Sequence, residues 1–267
     1  NNAHFCAIFF RIIVRPKKRT AMPKNPGKEK EAGLDKAWLK FYKHDFDQAL
    51  SLFEDRFDQD QNSEALFGRA CVYFRTDDFD AALKDLNSLI KADPKDLRAL
   101  HTRGLLFGAE EKFKEAGRDL QKVTELSPES VEAWCDLGGC YLMQKEHQLA
   151  NDCFDKSIDI DKSCPDAWFG KGMVALEKKE YKKAIEYLNT ALRLDPKYIL
   201  ALLARAEALM LTNQKKDAMQ DIRKLHSLKP GLLNPDQEED DDEKSYDADE
   251  DDAIGDDDDF GSFKLDD

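Results

Sequence analysis

Long hydrophobic runs are missing from this chain of 267 residues. No apolar stretch approaches the roughly 20 residues that a membrane-spanning helix needs, so the sequence predicts no membrane insertion. The six cysteines form no CxxC pair, and there is no Asn-x-Ser/Thr glycosylation sequon. These absences favour reduced thiols and a cytoplasmic location.

Sequence signatures of catalysis and cofactor binding are also absent. The chain contains neither an HExxH zinc motif nor a GxxxxGK[ST] phosphate loop, and its five histidines are scattered. Residues 58–69 begin like a calcium loop, but Ser63 replaces the turn glycine and Arg69 replaces the closing glutamate. The sequence therefore predicts no enzyme, no cofactor, no metal site and no small-molecule substrate.

Basic residues are scarce where the acidic ones are concentrated. Residues 236–267 contain 18 acidic and two basic residues, whereas residues 1–30 carry a net charge of +7. The formal net charge of the whole chain is −14, which leaves only −5 for the part in between. Because affinity for duplex DNA depends on lysines and arginines that neutralise phosphates, we expect no direct nucleic-acid binding.

What the sequence does contain is a period of 34 residues. Small residues recur at this spacing from Ala82 to Ala218, and prolines recur at spacings of 34 or 68 from Pro94 to Pro230. Trp134 and Trp168 share one slot of the repeat. Five repeats follow at 63–96, 97–130, 131–164, 165–198 and 199–232, after a degenerate one near 30–62 that is one residue shorter.

The repeat resembles the tetratricopeptide repeat family. The segment WCDLGGCY, which begins at Trp134, and the segment from Trp168 to Pro196 are similar to that family's Trp, Leu-Gly, Tyr, Ala, Phe, Pro pattern. The resemblance implies an all-α fold, a right-handed superhelical solenoid of about six helix-turn-helix repeats. It also implies that small residues such as Gly104 and Gly138 let the two helices of a repeat approach closely.

The repeat pattern and the charge distribution divide the chain into three segments. Residues 1–29 are expected to be a disordered basic leader, with 1–21 absent from the mature protein because the first methionine is Met22; a membrane or organelle address is the alternative. Residues 30–232 form the solenoid. Residues 233–267 are expected to be a disordered acidic tail, because dense like charges and few apolar residues prevent folding.

The family resemblance places the first helix of each repeat along a concave groove, with positions 2, 5, 9, 12 and 13 facing inward. The inward side chains are mostly apolar, which suits an extended or helical peptide with aromatic or aliphatic anchors; packing between neighbouring helices is the alternative for each of them. The candidate groove residues are Trp38, Phe67, Cys71, Phe74, His101, Leu105, Cys135, Leu142, Met143, Phe169, Met173 and Leu176.

Basic residues recur at position 7 of the repeats. They are Arg69, Arg103, Lys171 and Arg205. A basic binding stripe is one interpretation. The favoured one is that their stems cover the seam between helices while their charged heads reach water.

Some members of this family bind the C-terminal carboxylates of heat-shock chaperones through a clamp of lysine, asparagine and arginine side chains. In this sequence no repeat has Lys at position 5 or Asn at position 9. Arg98 occupies position 2 of its repeat, but Thr102 follows at position 6 where the clamp needs Arg. A co-chaperone role is therefore the least favoured of the alternatives.

The acidic tail contains a motif of its own. In DDDDFGSF, Phe260, Gly261 and Phe263 resemble the acidic phenylalanine peptides that bind the ear domains of clathrin adaptors of the gamma-adaptin and GGA type. Ser262 departs from the usual residue at its place. The competing interpretations are a tail that only keeps the protein soluble, binding of basic proteins such as histones or ribosomal proteins, and folding of the two phenylalanines into the protein's own groove.

The sequence as a whole predicts a non-enzymatic interaction scaffold. Its groove would hold one protein or peptide partner and its tail a second, such as a clathrin-adaptor ear. The alternative functions are an acidic-tail chaperone of basic proteins and a heat-shock co-chaperone.

Overall fold

Twelve α-helices make up the part of the chain that the computed structural model describes, residues 30–229. They alternate between a first helix of each repeat, helix A, and a second, helix B. The helices are α1 (Lys30–Tyr42), α2 (Phe46–Asp60), α3 (Ser63–Arg75), α4 (Phe79–Ala92), α5 (Leu97–Ala109), α6 (Phe113–Leu126), α7 (Val131–Met143), α8 (His147–Ile160), α9 (Pro165–Glu177), α10 (Tyr181–Leu194), α11 (Ile199–Leu211) and α12 (Lys215–Leu228).

The six helix pairs stack in chain order into a solenoid. Each helix contacts the next one along the chain, and each helix A also contacts the helix A of the following repeat. No comparable contact joins consecutive helices B within 30–229. The helices A therefore form the inner layer. The all-α solenoid of six repeats is confirmed, and no strand occurs among the described residues.

The turn inside each repeat has the same backbone conformation in all six. One residue between helix A and helix B adopts the left-handed region, with φ between 58° and 62°. None of these residues is a glycine, so each turn carries the steric cost of a Cβ in that region. They are His44, Asp77, Glu111, Lys145, Lys179 and Asn213.

The missing residue of the first repeat lies in the connection between α2 and α3. Only Gln61 and Asn62 separate these helices, whereas four residues separate every later pair of repeats. Gln61 is left-handed, at φ 54°, and its N–H donates to the Phe57 carbonyl at 2.7 Å. The Asn62 side chain then accepts the Ala65 N–H at 3.0 Å and caps α3.

The hydrophobic core is continuous at one end of the solenoid and divided at the other. The largest cluster of buried residues runs without interruption from α6 to α12. The first two helices and Val72 of α3 form a separate small cluster around Phe53, and a third lies between α3, α4 and α5.

Glycines permit the closest helix contacts, as the repeat pattern predicts. Phe154 of α8 is fully buried between two successive helices A. A Cβ at Gly138 of α7 would lie 2.7 Å from the Phe154 ring, and one at Gly170 of α9 would lie 2.3 Å from it. A side chain at either position would collide with Phe154.

The charged heads of the position-7 arginines do not lie where the sequence predicted. Arg69, Arg103 and Arg205 do not extend their heads into water but bind buried aspartates on helix B of the same repeat. The partners are Asp85, Asp119 and Asp221, all at most 7% exposed. Lys171 pairs instead with Asp155 of the preceding helix B. The cations belong to structural ion pairs, so they form no free basic stripe.

Candidate peptide-binding groove

The twelve candidate groove residues lie on five consecutive helices A, from α1 to α9, and differ in accessibility. Four of them, Cys135, Leu142, Phe169 and Met173, are buried at 6% exposure or less. All four are on α7 and α9. The other eight are half-buried: Trp38, Phe67, Cys71, Phe74, His101, Leu105, Met143 and Leu176.

An aromatic cluster stands at the N-terminal end of the groove. The Trp38 ring stacks on Tyr42 at a centroid distance of 6.1 Å and meets Phe41 edge-on at 5.5 Å. Phe67 of the next helix A is 6.2 Å away. Tyr42 is 47% exposed, which is high for an aromatic side chain. The cluster offers apolar faces to solvent on two adjacent helices A.

Sequence reasoning left Tyr42 and Glu64 out of the candidate set. Both occupy inward positions of their repeats, 13 and 2, so the repeat register contained the signal for them. Glu64 accepts a hydrogen bond from the Trp38 indole N–H at 3.2 Å and pairs with the guanidinium of Arg98. One carboxylate therefore connects α1, α3 and α5.

Arg98 contacts several of these neighbours, while its side chain is 49% exposed. Besides pairing with Glu64, its guanidinium lies 4.8 Å from the centroid of the Phe67 ring, a cation–π contact. Its Nε is 3.7 Å from Asp96 Oδ1. The guanidinium thus holds Phe67 in place along the groove wall.

A polar pair occupies the middle of the groove. His101 Nε2 of α5 is 2.7 Å from Asp136 Oδ2 of α7, and Asp136 is only 7% exposed. Burial alone would lower the pKa of His101, but the hydrogen bond and charge of Asp136, with Glu132 nearby, outweigh that effect and raise it. The pair fixes the spacing between two helices A.

Similar polar contacts join the later helices. His147 Nε2 is 2.7 Å from Glu177 Oε2, and the Tyr198 hydroxyl donates to Asp166 Oδ1 at 2.8 Å. Burial and the adjacent Asp166 carboxylate raise the pKa of Tyr198 well above its usual value. These polar groups on the later repeats therefore already have partners.

No group of three or more histidine, cysteine, aspartate or glutamate side chains in the described residues could hold a metal ion. The five cysteines in residues 30–229 are free thiols. No described helix is both long and apolar enough to cross a membrane.

Comparison with known families identifies the repeat. Tetratricopeptide repeat models match residues 34–96, 101–163 and 165–198, which together make up more than half of the chain. The chain belongs to the tetratricopeptide repeat family. No match was found among curated protein sequences.

Solved tetratricopeptide repeat structures share the fold. A repeat protein from Parabacteroides merdae is 19% identical, with a TM-score of 0.66 over 78% of this chain and 83% of that one. PilF of Pseudomonas aeruginosa is also 19% identical, with a TM-score of 0.65 over 76% and 93%. MamA is 26% identical, with a TM-score of 0.51 over 58% and 91%. At this identity the likeness concerns the fold.

Tetratricopeptide repeat domains bind proteins and peptides, and they are generally non-enzymatic. The chain is accordingly a protein–protein interaction scaffold. The leader 1–29 and the tail motif at Phe260, Gly261 and Phe263 lie outside the described residues, so the expectations about them stay predictions.

Proposed function

We propose that this chain is a non-enzymatic adaptor that holds a peptide segment of a partner protein at the N-terminal end of its groove, over α1, α3 and α5. One observation carries the proposal. The aromatic cluster of Trp38, Tyr42 and Phe67 is partly open to solvent, whereas the candidate residues Phe169 and Met173 further along are buried. Large, rigid aromatic side chains are the usual energetic centre of an interface.

The lining also indicates the chemistry of the ligand. The exposed groups are aromatic and apolar, and the charged groups beside them, Glu64 and Arg98, already neutralise one another. A segment with an aromatic or aliphatic anchor gains from burying these faces, whereas a strongly charged segment finds no free counter-charge. Either an extended strand or one face of a helix can present such an anchor.

The test begins with selection of peptides from a random display library on the whole chain, followed by calorimetry of the best binder. We expect the combined change Tyr42→Ala with Phe67→Ala to weaken binding at least about tenfold, since each lost anchor costs about 1 kcal/mol or more. The matched control is Leu126→Ala with Leu149→Ala, two exposed leucines on helices B. The proposal is wrong if the control weakens binding as much as the groove pair.

The same structure disfavours the carboxylate clamp of the heat-shock co-chaperones. Arg98 is the one cation at a clamp position, and Glu64 and Phe67 already engage it. A chaperone C-terminus would have to displace Glu64 from Arg98. Binding of a peptide that ends in two carboxylates, abolished by Arg98→Ala, would overturn this inference.

The sequence also supports a second contact, which the acidic tail would make with another protein. Phe260, Gly261 and Phe263 follow four aspartates, as in peptides bound by clathrin-adaptor ears. If the tail binds an ear domain, the double variant Phe260→Ala with Phe263→Ala should no longer capture an isolated gamma-adaptin ear. This variant keeps every charge of the tail. The basic-protein alternative is correct if the tail instead captures a basic protein such as histone, and if that binding is unchanged by the two substitutions and weakened by salt.

A further inference from the structure

We propose that the outer face of α12 is a docking surface for the chain's own acidic segment, residues 236–267. This contact is separate from the groove and does not depend on the proposed function. It follows from the side chains that the last helix presents and from the charge of the segment that follows it.

The terminal helix departs from the apolar columns that join repeats elsewhere. Position 28 of the earlier repeats holds side chains such as Ile90 and Ile158, which pack against the next helix A. In α12 the same position is His226, which is exposed. Position 17, aromatic in Phe79 and Phe113, is Lys215. The outer face of α12 is therefore not built to receive another repeat.

The face carries charge of one sign. Ala218, Asp221 and Leu225 define the buried side of α12. At 100° per residue the opposite half of the helix contains three exposed cations and no carboxylate, and Lys215 and Asp217 lie just beyond its two edges. The three cations are Lys216, Arg223 and Lys224. No ion pair within the described residues involves any of them.

The complementary charge lies a short distance along the chain. Residues 236–243 read DQEEDDDE and contain seven carboxylates. The six residues from Pro230 to Pro235 span at most ~20 Å, close to the ~21 Å length of a 14-residue helix. The acidic run can therefore reach the whole of α12. A short tether of this kind gives an effective concentration on the order of millimolar.

This occupant fits better than an apolar one. The exposed face offers lysine and arginine heads together with Gln220 and Ser227, and a hydrophobic partner would have to desolvate them. A tethered polyanion gains attraction from several cations at once and leaves both sets of charges hydrated. The docked segment would compete with any basic protein for the tail.

Small-angle scattering of the full chain at about 50 and about 500 mM NaCl tests the proposal. Salt shortens the Debye length from about 14 Å to about 4 Å. If the segment docks, salt releases it and the radius of gyration rises. A free polyanion behaves in the opposite way, because screening relieves its self-repulsion and the radius of gyration falls.

Charge reversal on α12 locates the contact. We expect Lys216→Glu with Arg223→Glu to reduce the ratio of docked to free chains roughly tenfold, because two attractions become two repulsions. The matched control is Lys182→Glu with Arg193→Glu on α10, an equal change at exposed cations without ion pairs among the described residues. Amide shifts of residues 236–243 should change in the first variant and not in the second.

Two results would overturn the proposal. One is a radius of gyration that falls with salt in the unaltered chain. The other is a radius of gyration that rises with salt as much in the α12 variant as in the α10 control variant. That result would place the acidic segment on another basic region, such as the leader. A thermal melt of both variants by circular dichroism confirms that each one remains folded.

Discussion

Arg103 and Asp119 form a two-pronged ion pair across the two helices of one repeat. Arg103 Nε donates to Asp119 Oδ2 at 2.7 Å and Nη2 donates to Oδ1 at 2.8 Å. The remaining Nη1 donates to Asn87 Oδ1 on the preceding helix B at 2.6 Å. One guanidinium therefore connects three helices, and Arg205 repeats the arrangement with Asp221 and Asn189.

Removal of the Asp119 charge should destabilise the solenoid markedly. Asp119→Asn leaves the partly buried Arg103 guanidinium without its counter-charge, and we expect a loss of about 2–3 kcal/mol in the free energy of unfolding. Urea denaturation measures it. Glu180→Gln, which breaks the surface pair with Lys183, is the control and should give no measurable change. Equal effects of the two changes would contradict a structural role for the Arg103–Asp119 pair.

A methyl group at Gly170 should be poorly tolerated. Its Cβ would lie 2.3 Å from the fully buried Phe154 ring, so Gly170→Ala forces a rearrangement that costs about 1–3 kcal/mol. Gly33→Ala on α1 is the matched change, since nothing lies within 4 Å of its Cβ position. This control should raise stability by about 0.5–1 kcal/mol through helix propensity. In thermal melts followed by circular dichroism, the melting temperature should fall for Gly170→Ala and rise for Gly33→Ala.

The His101–Asp136 pair should make stability depend on pH. Because folding raises the pKa of His101, its contribution is fully present below the unfolded value near 6.5 and is lost as pH rises through the folded pKa. The difference in urea midpoint between the unaltered chain and His101→Gln should therefore be larger at pH 5.5 than at pH 8.5. In an NMR titration, Asp136→Asn should lower the pKa of His101. A midpoint difference that grows with pH would show that the histidine acts through another contact.

The buried thiols should be inert in the folded protein. Burial raises the pKa of Cys153 to about 12, with a smaller contribution from Asp152, so very little thiolate exists at pH 8. Iodoacetamide should leave Cys153 unmodified by mass spectrometry until urea unfolds the chain. Labelling in the native state at the rate of a free cysteine peptide would mean that α8 opens readily.

The repeat register was readable from the sequence, because the small and aromatic columns are periodic. It predicted six helix pairs and the close approach at Gly138. It did not predict the ion pairs of the position-7 arginines. Their aspartate partners lie 16 residues away on another helix, at a position that the apolar repeat pattern does not include. Solvent exposure was not readable either. Phe67 and Phe169 occupy the same position of their repeats, yet only Phe169 is fully buried.

The repeat register assigned the candidate residues to helices A, but it did not give their accessibility. The inward positions came from the family pattern, and Tyr42 and Glu64 occupy two of them. Which inward residues stay accessible depends on the distances between side chains of successive helices. Glycine contacts alone do not decide it, since a Cβ at Gly68 would lie as close to Phe53 as one at Gly170 to Phe154, 2.3 Å in both cases. Such distances depend on the assembled solenoid rather than on any single repeat.

The division of the hydrophobic core makes side-chain packing unequal along the length of the solenoid. From α6 to α12 one cluster spans every repeat boundary, so bending there would disturb many side chains together. The first two helices share a smaller cluster around Phe53, and contacts such as the hydrogen bond from Trp38 to Glu64 join them to the next repeat. The aromatic cluster of Trp38, Tyr42 and Phe67 lies at this end, outside the core that the last seven helices share.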